Sequence, residues 1–392
     1  MMEVYVLDDQ FRRIQVIDRY ESCIWTERYS AFGDFQLVIH STQQSRSQLP
    51  KGTRLALNRS NRVMTIENVE NKDDSEGRSL LTLSGRSLEG TELENRVVRR
   101  HLNGTDTDPN FVLAAGTPAQ KARDLFNFIM VNGNLDPKDV LPFYQSGSLY
   151  PANTIAEPDQ TVVLSFPPMS LYAALKEIAD GYGLGFRLYR GPDTSKLYFN
   201  VYTGDDRTST QTTKPAVIFD PELENLTNVS EFSSIETYKN VALVVAKFGS
   251  RWVYADDEAV NATGFDRRVL IVDASNIDTE AGTALDDELE QRGKEELAKH
   301  KALQAIDGEL PTNSKYQYGV DYELGDIVEM RNSDGLTNRM RVTEQIFVDD
   351  AQGERSYPTL AVDQFITPGT WYAWDASGVW DTAVGTWDDQ PE

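Results

Sequence analysis

The sequence predicts a mixed α+β fold dominated by β-structure, with two β-barrel domains, an intervening α/β domain and a helical insertion. Short alternating runs of apolar and polar residues, separated by turn-forming residues, fill both ends of the chain. Helical spacing of apolar residues is confined to the middle and to one later segment. A three-strand pattern also occurs twice, once towards each end, which indicates duplication of a β-domain.

The repeated pattern occupies residues 52–85 and residues 325–361. Each copy begins at a glycine, passes through two alternating strands and reaches an acidic turn before a third strand. Chance similarity between alternating strands is the alternative, but the shared order, spacing and turn chemistry favour duplication. The matched positions are Gly52 with Gly325, Leu57 with Met330, 62–66 with 341–345, and 73–77 with 349–353.

The composition is that of a folded, acidic protein. At 392 residues the chain is long enough for about two to four domains, and 40% hydrophobic residues suffice for packed cores. The 62 acidic and 38 basic residues give a formal charge of -24, which disfavours tight binding to phosphate backbones or anionic lipid. Cys23 is the single cysteine, so no internal disulfide is expected, and neither a membrane span nor a secretory signal is predicted.

Residues 1–105 are predicted to form the first β-barrel domain. Four alternating runs precede the first copy of the repeat, and Gly33-Asp34 marks one of the turns between them. Arg86, Glu89 and Arg96 follow at the end of the last strand. We interpret these three charges as structural ion pairs rather than as a binding site.

Residues 106–215 are predicted to form the α/β domain. Thr117, followed by proline, predicts a capping box at the start of one helix, and a second helix is predicted from Ser170. Gly181 and Gly183 end that helix, and a β-hairpin follows. The spacing of Gly181, Gly183 and Gly185 resembles a dinucleotide-binding loop only as a string. These glycines follow a helix and precede a strand, which is the reverse of what phosphate binding needs.

Residues 216–250 and 310–366 are predicted to form the second, discontinuous β-barrel domain, with residues 251–309 as the helical insertion. The most helical stretch is 278–306, where leucines at helical spacing lie on a strongly charged background. Such a helix is typical of a domain surface or of a bridge between subunits.

Residues 367–392 form a tail rich in tryptophan. Exposed tryptophan rings offer large apolar surfaces that stack on sugars or on protein. We therefore predict a partner or glycan contact, and a short hairpin that packs on its own barrel is the equally weighted alternative. The residues of this predicted contact are Trp371, Trp374, Trp380 and Trp387.

Residues with catalytic or metal-binding chemistry are sparse. His40, His101 and His300 lie in different regions, without partners at metal-ligand spacing. Asp106 and Asp108 begin a calcium-like loop that lacks its required glycine and glutamate. No catalytic residue, cofactor or metal site is therefore predicted, although a glycosidase needs only two carboxylates and the sequence leaves that chemistry open.

Three segments in the same order resemble siphophage minor tail proteins, the hub proteins of the tail tip or baseplate: residues 29–40, 83–98 and 318–330. The resemblance covers residues 1 to about 366. It implies that the two barrels are tail-tube-like and that the chain forms a homotrimer. Three chains with two similar barrels each would give a pseudo-sixfold ring that matches a hexameric tail tube.

The resemblance implies a non-enzymatic component of the virion, made in the host cytoplasm and located at the distal tip of the phage tail. Its implied partners are the distal tail protein ring and other tail-tip or fibre proteins, with the tape-measure protein and the host cell surface as further candidates. DNA is expected only in passage. The alternatives are a carbohydrate-active or cell-wall-binding protein that uses the C-terminal tryptophans, and the hub of a related injection machine.

Overall fold

An extended, mainly antiparallel β-sheet built from both ends of the chain dominates this computed structural model. Among the residues that the structure describes, helix accounts for 21% and strand for 41%, which confirms the predicted β-dominated mixed fold. The structure describes residues 2–73, 79–100, 110–191, 194–223, 225–275, 277, 282–309, 315–331 and 337–362. Within this part of the chain, no helix is both long and apolar enough to cross a membrane.

The elements follow the chain in three groups. The first comprises β1 (Val4–Leu7), β2 (Arg13–Ile17), β3 (Ser22–Arg28), β4 (Asp34–His40), α1 (Gln43–Gln48), β5 (Arg54–Leu57), β6 (Val63–Asp73) and β7 (Ser79–Ser87). The second comprises β8 (Val97–Val98), β9 (Phe111–Gly116), α2 (Pro118–Phe126), β10 (Val162–Phe166), β11 (Met169–Ser170), α3 (Leu171–Tyr182), β12 (Gly185–Arg190) and β13 (Leu197–Tyr202). The third comprises β14 (Ile218–Phe219), β15 (Thr227–Ser234), β16 (Val241–Ala246), β17 (Gly249–Tyr254), α4 (Asp257–Asn261), β18 (Val269–Asp273), α5 (Thr283–Ala298), β19 (Leu303–Glu309), β20 (Ile327–Arg331), β21 (Thr337–Asp350) and β22 (Gly353–Val362).

The large sheet has the strand order β15-β19-β22-β21-β3-β4-β7-β6-β5-β1-β2, and β20 joins it by pairing with β21 and β14. Strands β1 to β7 enclose one apolar cluster that includes the fully buried Trp25. Ile17 of β2 and Cys23 of β3 lie in this same cluster although their strands stand at opposite ends of the segment β3-β4-β7-β6-β5-β1-β2. This half of the sheet therefore curls around its core.

A second cluster packs between β14 and the three-strand unit near the end of the chain. It includes Phe219, Tyr322, Val328, Met340 and Leu360. Phe219 and Tyr322 meet edge to face, with ring centroids 5.5 Å apart, an arrangement that aromatic pairs favour. Each copy of the repeat thus covers a core of its own.

Helix α3 packs on the β12–β13 hairpin that follows it, as the sequence predicts, and α2 packs on the same hairpin. Ser170 caps α3 by accepting a hydrogen bond from the backbone N–H of Ala173 at 3.1 Å, and Gly183 ends the helix with φ of +66°. The predicted capping box at Thr117 is wrong, because the Thr117 side chain makes no cap hydrogen bond there. Pro118 does occupy the first helical turn.

The helical stretch is shorter than predicted. Helix α5 ends at Ala298 and packs on the three-stranded sheet β17-β16-β18 through Leu285 and Leu289. Residues 303–306 belong to strand β19, which pairs with β15 and β22. This segment is a strand rather than a helix because it pairs with a neighbouring strand on each edge. Such tertiary pairing overrides a weak local helix propensity.

The two copies of the repeat share one backbone pattern. Gly52 and Gly325 both have positive φ, +88° and +91°. The Gly52 N–H donates to the Ile66 carbonyl at 2.7 Å, and the Gly325 N–H donates to the Val342 carbonyl at 2.8 Å. The register of the second strand also shifts just after Ile66 in β6 and just after Val342 in β21, as at a β-bulge.

These hydrogen bonds correct one part of the sequence match. Gly52 and Gly325 are 273 positions apart, whereas Ile66 and Val342 are 276 apart. The connection between the first two strands is therefore three residues longer in the second copy. Residues 62–66 correspond to 338–342 and not to 341–345, because alternation alone cannot reveal a length change in the preceding connection.

The two glycines provide a first prediction. We expect Gly325→Ala to lower the free energy of unfolding more than Gly52→Ala does. An added Cβ at Gly325 would lie 2.5 Å from a ring carbon of Tyr29, whereas an added Cβ at Gly52 would have no atom within 4 Å. Gly52→Ala should therefore cost only the backbone strain, about 1–2 kcal/mol, and Gly325→Ala about 1–3 kcal/mol more.

Urea unfolding of both variants, followed by circular dichroism, measures the difference. Equal losses would contradict the close packing of Tyr29 against Gly325.

Candidate functional site: the junction between the two repeats

Strand β21 joins the two repeats by pairing twice along its length. Its first half pairs with β20, from Ile327↔Arg341 to Arg331↔Thr337. Its second half pairs antiparallel with β3, from Glu344↔Arg28 to Asp349↔Cys23. From here on, each repeat includes the strands that extend its sheet: β1 to β7 in the first, and β14, β15 and β19 to β22 in the second. The two repeats therefore share one continuous sheet, and we refer to the β3–β21 ladder as the junction.

Side chains on both strands reinforce the junction. Arg28 forms ion pairs with Glu344 and with Asp34, the latter at 2.5 Å. The Tyr20 hydroxyl donates to Asp349 Oδ2 at 2.7 Å. Phe347 of β21 packs into the apolar cluster of the first repeat, so the second repeat contributes to the core of the first.

A buried polar contact links the junction to the α/β region. The Tyr29 hydroxyl lies 3.0 Å from the Gly183 carbonyl and 3.1 Å from the Tyr202 carbonyl. Arg341 donates through Nη1 to the carbonyls of Thr203 and Gly325 at 2.6 and 2.7 Å. Tyr29 of the first repeat and Arg341 of the second thus contact the backbone at the two ends of the β12–β13 hairpin, at Gly183 before β12 and at Tyr202 and Thr203 at the end of β13.

A second buried charge fixes the same hairpin to the first repeat. Glu89 is fully buried and forms an ion pair with Arg62. Glu89 Oε1 also accepts a hydrogen bond from the Leu188 N–H of β12 at 2.7 Å. Buried charges are tolerated when they are paired and hydrogen-bonded, so this contact specifies one placement of the hairpin.

The structural interpretation of Arg86, Glu89 and Arg96 is confirmed by their contacts. Arg86 binds both carboxylate oxygens of Glu67, at 2.7 and 2.8 Å. Arg96 pairs with Asp139 at 3.4 Å and with Glu92. All three residues therefore act in ion pairs within the chain.

A cleft of ≈ 750 Å³ opens beside the junction. Its lining includes Glu27, Tyr318 and Glu323. The Tyr318 hydroxyl donates to Glu27 Oε2 at 3.0 Å, and Arg187 donates to Glu323 Oε2 at 3.2 Å. Burial raises the pKa of Glu323 above its usual range, so this carboxyl retains its proton to higher pH than a free one.

Three carboxyl groups line the cleft, those of Glu27, Glu323 and Glu354, and glycoside hydrolysis needs two. Each of them already has a partner: Tyr318 for Glu27, Arg187 for Glu323 and Arg59 for Glu354. Arg187 in turn lies over the Tyr150 ring, with its guanidinium carbon 3.2 Å from the ring centroid. The arrangement stabilises the wall of the cleft and also marks the place where a hydrolytic activity would have to be sought.

A carboxylate cluster next to the cleft joins the second repeat to the segment after β13. Asp326 accepts hydrogen bonds from the backbone N–H groups of Asp205 and Glu323, at 2.7 and 3.0 Å. Burial raises the pKa of Asp326 to about 6, although these two backbone donors and Arg207 oppose the shift. The carboxylate therefore acts as a cap for two backbone donors that would otherwise be buried and unpaired.

Of the other residues singled out in the sequence, His40 and His300 lie outside the junction, whereas Cys23 lies at the end of its ladder, opposite Asp349. His40 pairs with Glu21 at 2.9 Å, and His300 Nδ1 lies 3.2 Å from the Thr237 carbonyl. Cys23 is buried in the first core, where burial raises its pKa to about 12, as expected for a small apolar residue. Within the described ranges, no group of three His, Cys, Asp or Glu side chains could hold a metal ion.

Other predicted positions fall outside the described residues. They are Trp371, Trp374, Trp380 and Trp387 of the tail, His101, and the calcium-like loop at Asp106 and Asp108. Sequence reasoning in turn missed the junction and the contact between Tyr29 and Arg341. The one available signal was the length of the second strand in the later copy, which exceeds what the preceding strand can cover along one edge.

The Tyr29 contact provides a second prediction. Tyr29→Phe should lower the free energy of unfolding by about 1–2 kcal/mol. The buried hydroxyl hydrogen-bonds to the carbonyls of Gly183 and Tyr202 and accepts a hydrogen bond from Arg341, and all of these bonds would be lost. Tyr5→Phe is the matched control. Among the described residues, the Tyr5 hydroxyl donates its hydrogen bond to the nearby Glu3 in a partly exposed position, so its removal should change stability by less than about 0.5 kcal/mol.

Thermal and urea unfolding of the two variants provide the measurement. Equal effects of Tyr29→Phe and Tyr5→Phe would contradict a structural role for the buried hydroxyl.

Known proteins resemble this chain in sequence family and in fold. The model of the Siphovirus ReqiPepy6 Gp37-like protein family matches residues 3–360. No curated protein matches the chain. The tail protein from Neisseria meningitidis MC58 is 16% identical with a TM-score of 0.56, and the match covers 93% of this chain and 96% of that one. The 43 kDa tail protein of prophage MuSo2 from Shewanella oneidensis is 13% identical with a TM-score of 0.56, covering 93% and 99% of the two chains.

The family match spans nearly all of the chain, and both structural matches run over almost the full length of each partner. The chain therefore belongs to the Siphovirus ReqiPepy6 Gp37-like protein family, and its fold is that of phage tail proteins.

Proposed function

We propose that this protein is the structural hub at the distal tip of a siphophage tail. In this proposal three copies form a ring that closes the tail tube, anchors tip or fibre proteins and opens for the passage of DNA. The observation that carries the proposal is the junction, where two copies of one β-unit lie side by side in a single sheet. Three such chains present six similar units, which suits a sixfold tube.

The charge of the protein supports passage rather than retention of DNA. The formal charge is -24, and an acidic wall repels a phosphate backbone. The proposed partners follow from the position in the tail: the distal tail protein ring, tip or fibre proteins, the tape-measure protein and the host surface. The protein acts as a non-enzymatic part of the virion.

The cleft beside the junction is the observation that supports a second candidate function, that of a carbohydrate-active or cell-wall-binding protein. Glu27 and Glu323 line it together, so a carbohydrate-active or cell-wall-binding protein would place its chemistry there. The carboxyl groups of Glu27, Glu323 and Glu354 in the cleft are bound by Tyr318, Arg187 and Arg59, respectively, which favours a structural role. We therefore rank the hub first.

The third prediction concerns mass and shape in solution. Light scattering should give about three times the 44.1 kDa mass of one chain, and negative-stain averages should show rings with apparent sixfold symmetry. The physical reason is that each chain supplies two similar units to one ring.

The opposite outcome is equally specific. A monomer that cleaves cell-wall glycan, and that loses this cleavage in Glu27→Gln or Glu323→Gln, would contradict the hub and establish the second function. These two isosteric changes remove the carboxyl chemistry with little change in side-chain volume.

The fourth prediction concerns the tryptophan-rich tail, which we propose as a contact for protein partners or glycan. Replacing Trp371, Trp374, Trp380 and Trp387 together by Ala should weaken binding to purified tip proteins or to cell-wall glycan by about tenfold or more, because single tryptophan contacts often contribute over 1 kcal/mol. Trp252→Ala is the control, since Trp252 is an exposed tryptophan outside the tail. Binding that is unchanged in the fourfold variant would contradict the contact.

A further inference from the structure

Two strands of the large sheet retain an edge with no ladder among the described strands. β6 pairs with β5 only at residues 63–65, so beyond that point the edge of β6 facing away from β7 has no partner strand. β15 is the last strand of the sheet and pairs with β19 alone. Unpaired edges present rows of backbone donors and acceptors that can template another strand.

Comparison of the two repeats identifies the counterpart of the free edge of β6. β6 and β21 are counterparts for two reasons. The carbonyls of Ile66 and Val342 accept equivalent hydrogen bonds, from Gly52 and Gly325, and each of the two residues precedes a shift in strand register. The segment of β21 beyond Val342 pairs with β3 at the junction. The corresponding segment of β6 begins at Asn68 and has no such partner within the described chain.

The free edge of β15 has a counterpart as well. In the first repeat the strand order is β7-β4-β3, and in the second it is β22-β19-β15. Gly85 and Leu360 are equivalent, since they oppose Ile66 and Val342. The order therefore makes β15 the counterpart of β3, the strand that receives β21.

We propose that β6 of one copy pairs with β15 of the next copy, which repeats between chains the junction found within each chain. This inference rests on the proposed function and deepens it by naming the contact between subunits. Each copy offers one edge of either kind, so the contact is heterologous and generates a ring when its rotation closes.

The register of the proposed ladder follows from the ladders already present. Phe35 and Ile306 oppose Gly85 and Leu360, and Trp25 and Glu231 oppose Phe35 and Ile306 in turn. Trp25 and Glu231 are therefore equivalent.

At the junction Trp25 pairs with Phe347, whose equivalent in β6 is Asn71. Asn71 should thus oppose Glu231 between copies. The neighbouring pairs are Glu70 with Phe232, Val69 with Ser233, and Asn68 with Ser234.

Burial of one equivalent pair supports this register. Thr26 of β3 is 4% exposed within the junction, and its counterpart Phe232 of β15 is 55% exposed. A large apolar side chain on a free strand edge is typical of a surface that another chain covers. A neighbouring β6 would place Glu70 opposite Phe232 and allow its methylene groups to pack on the ring.

Cysteine cross-linking tests the register in the full chain. We expect Val69→Cys with Ser233→Cys, or Glu70→Cys with Phe232→Cys, to form disulfides between copies under mild oxidation. Opposite residues of an antiparallel ladder lie within the range that disulfides need. Lys72→Cys with Ser234→Cys is the matched control, because these positions lie about four residues out of register, on the order of 13 Å apart. Wild-type protein controls for Cys23, which is buried.

The outcomes separate this ladder from the proposed ring. In-register products that end at three chains support both. Products that continue past three chains support the ladder and contradict the trimeric ring. A trimer by light scattering without in-register cross-links, or with cross-links in the control variant alone, overturns the ladder and leaves the ring. A monomer without cross-links overturns the ladder.

Discussion

The architecture depends on strand β21, because one edge of this strand pairs with β20 along its first half and with β3 along its second half. The strand pairs with β20 up to Arg341 and with β3 from Glu344, and its register shifts between these two segments. A bulge bends a strand and increases its twist, so the second half of β21 turns away from β20, stays paired with β22 and reaches the other repeat. The Tyr29 N–H, which donates to the Thr343 carbonyl at 2.9 Å, bonds at the point where the partner changes. Without this bend the two cores would have no common sheet.

Buried polar contacts then fix the α/β region against that sheet. Arg341, Glu89 and Arg62 are all nearly or fully buried, and each contacts a backbone group or an opposite charge of a distant segment. Apolar packing alone would tolerate small rotations, whereas a buried charge that loses its partner costs several kcal/mol. These contacts therefore select one orientation of the β12–β13 hairpin. The same contacts also fix the wall of the cleft beside the junction. Arg187, which donates to Glu323 of the cleft, lies on that hairpin.

Local signals in the sequence were sufficient for the class of the fold and for several element ends. Ser170 and Gly183 act through neighbours a few residues away, so composition and spacing reveal them. The β-structure of residues 303–309 was missed because it depends on β15 and β22, whose paired residues are about 50 to 80 positions away in the chain. The junction depends on partners more than 300 positions apart, such as Tyr29 and Arg341, and no local pattern encodes such a pairing. The repeat was recognisable because both copies keep the same glycine and turn chemistry, yet its register required the hydrogen bonds.

The two junctions of the proposed ring differ in a way that suits assembly and opening. Within the chain, Arg28 and Glu344 form an ion pair at the end of the ladder, and covalent connection raises the effective concentration of the two strands. Their counterparts between copies are Ser234 and Asn68, which carry no charge. The contact between copies therefore lacks both the ion pair and the covalent tether, and it should separate before the contact within the chain. A ring built from such alternating contacts would open between its subunits, and each pair of repeats would move as one body.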